Sequence, residues 1–207
     1  EPEWMETHTF SGGLGLAEKD DVLFVIRRSD LSIAEVETKG YISWTRPFTE
    51  GLAPVQIGFS WGYVDGDGRF AISPQYEWAF NFHDGLALVE TKDGFGYIDK
   101  SGRFVIGPLK AKQGLTSLVI GPMTASAGSF SEGLVPLTTN NGKWGYRARW
   151  RTDYCDRNGR TVITTDFMQA QAFSDELAAV RSVSGKWGYI NKRGNVVISP
   201  QFVSAGP

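Results

Sequence analysis

The feature that most constrains this 207-residue chain is a segment that it repeats. "GKWGYINKRGNVVISPQF" (185–202) returns as "SWGYVDGDGRFAISPQY" (60–76), as "GFGYIDKSGRFVIGP" (94–108) and, interrupted, between 142 and 167. A second half precedes each copy: "FTEGLAPV" (48–55), "FHDGLALV" (82–89), "FSEGLVPL" (130–137) and "FSDELAAV" (173–180). A fainter fifth copy, "FSGGLGLA" (10–17), leads to "KGYI" (39–42). Trp61 to Phe95 and Phe48 to Phe82 are both 34 residues, and Trp144 to Trp187 is 43 residues because eight are inserted after Tyr146. A fixed period of this length is the mark of stacked supersecondary units.

One unit reads as β-structure. In "WGYI" the large side chains alternate, so Trp187 and Tyr189 share one strand face and Gly188 leaves room for a close neighbour. Asp65 to Gly68, Asp99 to Gly102, Asp156 to Gly159 and Asn191 to Gly194 then spell a tight turn. The Asx side chain accepts backbone N–H bonds and the glycine supplies a positive φ. A returning strand rich in β-branched residues is stopped by Pro74, Pro108 or Pro200, and "GLAPV" is a third strand, with Pro54 and Pro136 at a sheet edge or a bulge. A lone unit cannot offset the entropy of ordering its backbone, roughly 1–2 kcal/mol per residue, so the units must pack on one another. The expectation is an all-β chain, a tandem array of antiparallel β-meanders in an open solenoid-like stack, with a β-propeller-like closure as the alternative. The units fall at about 10–47, 48–81, 82–129, 130–172 and 173–207.

The pattern F-x-[DE]-G-L-A-x-V followed by [WF]-G-Y-[IV]-[DN]-x-x-G-x-x-[VA]-I-x-P-x-[FY] resembles the WG (KWG) repeat of bacterial proteins, over nearly the whole chain. Phe95 stands for Trp, Thr165 for Pro and Glu176 for Gly, and the first unit lacks its Trp. The resemblance implies a β-rich array, frequent on exported or envelope-associated proteins, with no reaction belonging to the repeat. An extracellular or cell-envelope location in a bacterium is the corresponding expectation. Both ends lie near unit boundaries and position 1 is not Met, which suggests a piece of a longer protein.

Charge selects no partner: 21 Lys and Arg face 23 Asp and Glu, so nothing marks a nucleic-acid binder. No apolar run is long enough to span a membrane as a helix, and one cysteine, Cys155, forms no internal disulfide. "DGDG" (65–68) resembles the start of a calcium loop, but aligned units carry "DKSG", "DRNG" and "NKRG", so it reads as a turn, and no metal or cofactor is expected. The acids Glu50, Asp84, Glu132 and Asp175 recur once per unit, as a structural role requires and a catalytic pair does not.

The departures from the repeat carry the functional expectation. The insertion "RARWRTDY" (147–154) sets Arg147, Arg149 and Arg151 around Trp150, a surface suited to an anionic, sugar or protein ligand. Two other interruptions, 109–128 and 18–38, read as extra strands and connections, the second containing "VLFVI". Together these features suggest a non-enzymatic module that binds or scaffolds a protein or polysaccharide partner through exposed aromatics and irregular loops. The alternative is a carboxylate-based hydrolase with its active site in a groove between units.

Overall fold

The computed structural model describes residues 6–7, 10–38, 40–109, 130–140 and 150–206, and every regular element among them is a β-strand. Five sheets follow one another along the chain. Sheet I holds β1 (Glu6–Thr7), β2 (Leu14–Lys19), β3 (Val22–Arg27) and β4 (Ile33–Glu35); sheet II holds β5 (Ile42–Thr45), β6 (Ala53–Ile57), β7 (Ser60–Val64) and β8 (Phe70–Tyr76). Sheet III holds β9 (Trp78–Ala79), β10 (Leu86–Thr91), β11 (Gly94–Asp99) and β12 (Phe104–Leu109). Sheet IV holds β13 (Leu134–Asn140), β14 (Trp150–Asp156) and β15 (Thr161–Ile163), and sheet V holds β16 (Gln169–Ala170), β17 (Leu177–Arg181), β18 (Trp187–Asn191) and β19 (Val196–Phe202). Each sheet is a meander whose strands neighbour in chain order. The all-β reading and its antiparallel meanders therefore hold, while four of the five meanders have a fourth strand that the unit did not announce. That strand is the segment ahead of the unit's leading Phe, only two to four residues long.

The turns are those the residues dictate. Asp65 Oδ1 accepts from the N–H groups of Asp67 and Arg69, and Asp99, Asp156 and Asn191 repeat the pattern. Gly68, Gly102, Gly159 and Gly194 close these turns with φ between 76° and 80°. In the other turn, F-x-[DE]-G-L, acid and glycine both adopt positive φ, 51° at Glu50 and 86° at Gly51, and Thr49 and Leu52 exchange backbone bonds. Two consecutive left-handed residues make the tight hairpin that suits twisted strands.

The prolines behave differently from expectation. β8 and β19 run past Pro74 and Pro200 to Tyr76 and Phe202, which pair with Trp61 and Trp187. Both are edge strands, so a missing N–H costs no ladder bond. The prolines cross the glycine of the facing strand: a Cβ on Gly62 would lie 2.6 Å from the Ile72 carbonyl oxygen and 2.7 Å from the Pro74 nitrogen. Pro136 does lie on an edge strand, but Pro54 lies on an inner one. Pro54 is tolerated there because its carbonyl, on the β5 side, takes the N–H of Arg46 just past the end of β5.

The chain divides into two compact units, residues 1–92 with 96–104 and residues 93–95 with 105–207. In the first, sheet I packs on sheet II through Leu16, Leu23, Val25, Phe48, Val55 and Val64, and sheet II on sheet III through Trp61, Tyr63, Tyr76, Phe82, Val89 and Ile98. In the second, Tyr154, Ile163, Phe173, Ala178, Val180 and Ile190 join sheet IV to sheet V. One seam recurs. Tyr63 meets Phe82 at 4.9 Å between ring centroids and donates its hydroxyl to the Phe80 carbonyl. Tyr154 meets Phe173 at 4.8 Å and donates to the Gln171 carbonyl. The turn glycines nest beside an isoleucine of the preceding sheet: Gly102 on Ile72, Gly159 on Ile106 and Gly194 on Ile163.

Sheet I corrects the reading of 18–38 as an interruption. "VLFVIR" is β3 and "IAE" is β4, so Leu23, Phe24 and Val25 stand where Trp61, Gly62 and Tyr63 stand in sheet II. With Phe24 in the glycine place, β3 and β4 pair in unbroken register. "KGYI" instead leads into β5, the outer strand of sheet II. The segment 110–129 lies outside the described residues.

Candidate binding surface

The expected site sits on the hairpin of β13 and β14, whose register runs from Leu134↔Asp156 to Asn140↔Trp150. Residues 141–149 join the two strands, so Arg147 and Arg149 lie outside the described residues; Trp150 begins β14, and of its side chain nothing is described. Arg151 is described, and its guanidinium donates to Asp153 Oδ2 at 2.7 Å. The register also moves the core tyrosine. Pro136 faces Tyr154 as Pro54 faces Tyr63, so Tyr154, not Tyr146, fills the seam, and Thr152 and Asp153 replace the Trp-Gly pair.

That replacement is coupled to another. Where sheets II and V cross glycine with proline, sheet IV crosses Asp153 with Thr165. Threonine has the N–H that proline lacks, and it donates that hydrogen to Asp153 Oδ1 at 3.0 Å while its hydroxyl donates to the Thr152 carbonyl. Thr152, Asp153 and Thr165 are the buried polar side chains of the described residues, and each is hydrogen-bonded, as burial demands. Arg151 thereby holds Asp153.

A second departure lies on sheet II. Tyr41, Trp44 and Phe59 are 70%, 70% and 95% exposed. They are close in the fold: the Tyr41 carbonyl accepts from Gly58 N–H at 2.8 Å, Ser43 donates to the Gly58 carbonyl, and Trp44 faces Gln56 across the ladder. One period further on, Tyr41 and Phe59 correspond to Gln75 and Asp93, and Phe59 also corresponds to Asp21 at the tip of β2 and β3. At Tyr41 and Phe59, rings therefore stand in water where the repeat elsewhere carries polar groups, whereas Trp44 corresponds to Trp78. In sheet IV the segment between the paired Asn140 and Trp150 lies outside the described residues. Tyr41 and Phe59 are not among the residues singled out from the sequence, although the 34-residue alignment carried their signal.

Behind this edge, the Arg46 guanidinium lies 5.4, 5.9 and 5.2 Å from the ring centroids of Trp61, Trp78 and Phe80. Burial pulls its pKa down, yet the group stays cationic, and the ring faces take the place of an anion. Its Nε and the Trp61 Nε1 have no hydrogen-bond acceptor among the described residues.

Two of the recurring acids, Glu50 and Glu132, bind successive sheets together. Glu50 accepts from Gly85 N–H and pairs with Lys100 at 3.2 Å; Glu132 accepts from Glu176 N–H and pairs with Lys192 at 2.9 Å. The hydrogen bond from Lys192 is the main reason that the Glu132 carboxyl titrates below its ordinary value. Among the described residues no group of three His, Cys, Asp or Glu side chains is placed to hold a metal ion, and no helix is long and apolar enough to cross a membrane.

A family model described as "WG containing repeat" matches residues 61–94, 154–187 and 187–207. No curated protein matches the sequence. Among solved structures, Hsv2 of Kluyveromyces lactis is similar over 92% of this chain and 62% of its own, at 12% identity and a TM-score of 0.46. BamB from Moraxella catarrhalis is similar over 95% of this chain and 66% of its own, at 15% identity and a TM-score of 0.44. The WD40 beta propeller domain of Doa1 is similar over 95% of this chain and 68% of its own, at 10% identity and a TM-score of 0.38. The chain spans less than two thirds of the length of the Hsv2 structures it matches.

Proposed function

This chain carries WG-containing repeats, and on that premise we propose that it is a non-enzymatic binding module that engages a protein partner through Tyr41, Trp44 and Phe59. The observation that carries the reading is Phe59, 95% exposed at a hairpin tip where two aligned sheets place aspartate. Leaving such rings in water is unfavourable, and a compact aromatic patch rimmed by polar groups is the usual mark of an interaction surface. Large aromatics are also the side chains from which interface hot spots are made. A ring at the tip of a two-residue turn projects as a knob, which suits a pocket on a protein better than a flat sugar. The repeated acids support a role without catalysis, because Glu50 and Glu132 are engaged in joining sheets. A bacterial envelope or extracellular setting belongs to the same proposal, on the family's habit.

The sequence keeps Arg147, Arg149 and Trp150 as a second candidate, in or beside the segment that follows β13. The test is a partner and glycan screen with the whole chain, followed by affinity measurements on three variants. They are the triple Tyr41→Ser/Trp44→Ser/Phe59→Ser, and Trp150→Ala and Arg149→Ala singly. The expected result is a protein ligand whose affinity falls on the order of 100-fold or more in the triple variant, at unchanged melting temperature. Glycan binding that survives the triple variant refutes the proposal.

A further inference from the structure

Arg46 is a cation at a place where the aligned sheets carry neutral side chains. Its backbone N–H donates to the Pro54 carbonyl as that of Phe80 does to Leu88 and that of Gln171 to Ala179, so Phe80 and Gln171 are its counterparts in sheets III and V. Arg46 is half-buried, with its guanidinium against Trp61, Trp78 and Phe80. None of the ion pairs among the described residues includes it, whereas Arg27, Lys100, Arg103, Arg151 and Lys192 each face a carboxylate. Two donors in this stack, Arg46 Nε and the Nε1 of Trp61, itself 2% exposed, are closed to water and have no acceptor among the described residues. Ring faces attract the charge but are weak acceptors for N–H groups. A partly desolvated cation without an anion, beside buried donors without acceptors, is the state in which an arriving acid gains most.

The cation belongs to the same surface as the exposed rings. Trp44 and Trp61 face Gln56 from its two sides, one row across sheet II, and Arg46 follows Trp44 by two residues, on the same face of the chain. We infer that the protein partner brings a carboxylate, from an aspartate or glutamate next to an apolar residue, which closes on the terminal N–H groups of Arg46 while the apolar residue meets Trp44. This rests on the reading of Tyr41, Trp44 and Phe59 as the docking surface. A carboxylate fits because a guanidinium offers parallel N–H groups to its two oxygens, and a guanidinium already held against rings loses little further freedom on binding. The rings supply contact area, and Arg46 selects among partners by charge. Phe80 and Gln171 give sheets III and V no such charge.

The test is selection of a random peptide library displayed on phage against the whole chain, with counter-selection on the triple Tyr41→Ser/Trp44→Ser/Phe59→Ser variant so that only ring-dependent peptides are kept. Each peptide kept is synthesised as selected and with its acids changed to the amides, and both forms are titrated against wild type and Arg46→Gln. Glutamine is accommodated at this place, since Gln171 fills it in sheet V. The kept peptides should carry an acid, and its exchange for the amide should weaken binding about 10-fold or more on wild type and hardly at all on Arg46→Gln. Ring-dependent peptides that need no acid, or an exchange that costs as much on Arg46→Gln as on wild type, would overturn this inference and leave the ring surface standing. A selection that yields no ring-dependent peptide would overturn both.

Discussion

At Gly188 the facing backbone leaves no room for a side chain: a Cβ would sit 2.4 Å from the Ile198 carbonyl oxygen and 2.7 Å from the Pro200 nitrogen. Gly188→Ala should therefore cost about 2–4 kcal/mol in chemical denaturation, whereas an alanine at Gly206, where a Cβ meets nothing within 4 Å, should not. The same crossing explains Asp153. Its carboxylate serves the Thr165 N–H that a proline would not have, so Asp153→Ala leaves a buried donor and Arg151 unpaired. Glu176 is the converse case, a side chain at φ 67° where the other units carry glycine. Glu176→Gly should raise stability by about 1 kcal/mol, because the exposed pair with Lys192 that it forfeits contributes little. The sequence shows each of these exceptions as a departure from the repeat. Which atoms approach one another at the crossing depends on a bulge between strands that residue order does not spell out.

Among elements, the hairpin of β7 and β8 was the most legible, because Asp65 and Gly68 dictate its turn through local bonds alone. The outer strands were the least legible. Gln169–Ala170 is too short to show alternation and becomes a strand only by pairing with Arg181 and Val180. Between elements, the Glu132 clamp should make sheet V sensitive to acid. Its carboxyl is held below the ordinary 4.5, mainly by the hydrogen bond from Lys192, so the folded state binds its proton less readily than the unfolded chain. The clamp's contribution is complete above 4.5 and fades as pH falls through the lowered value. Urea midpoints measured from pH 7 downwards should fall below that point, and Glu132→Gln should show a lower midpoint at pH 7 with a shallower acid limb. Asp99 and Asp156, held low by N–H and hydroxyl donors in their turns, add to the wild-type decline with the same sign.

For the molecule as a whole, stability in a repeat array is a sum of units and the seams between them, and a unit with one open face is the weaker. Hydrogen exchange should accordingly find the amides of β19, where Phe202 is 42% exposed, less protected than the equivalent amides of β8, where Tyr76 is buried. The 34-residue period by itself determined the class of fold, the turns and the buried tyrosines, because those follow from residue type and spacing, which are local. Only the tertiary structure decided that Leu23, Phe24 and Val25 do the work of Trp, Gly and Tyr, that Tyr154 takes the core tyrosine's place in sheet IV, and that Phe59 and Phe10 meet water while their counterparts do not. Burial is a property of what lies across a seam, and a position in a sequence carries no record of its neighbour in the next sheet.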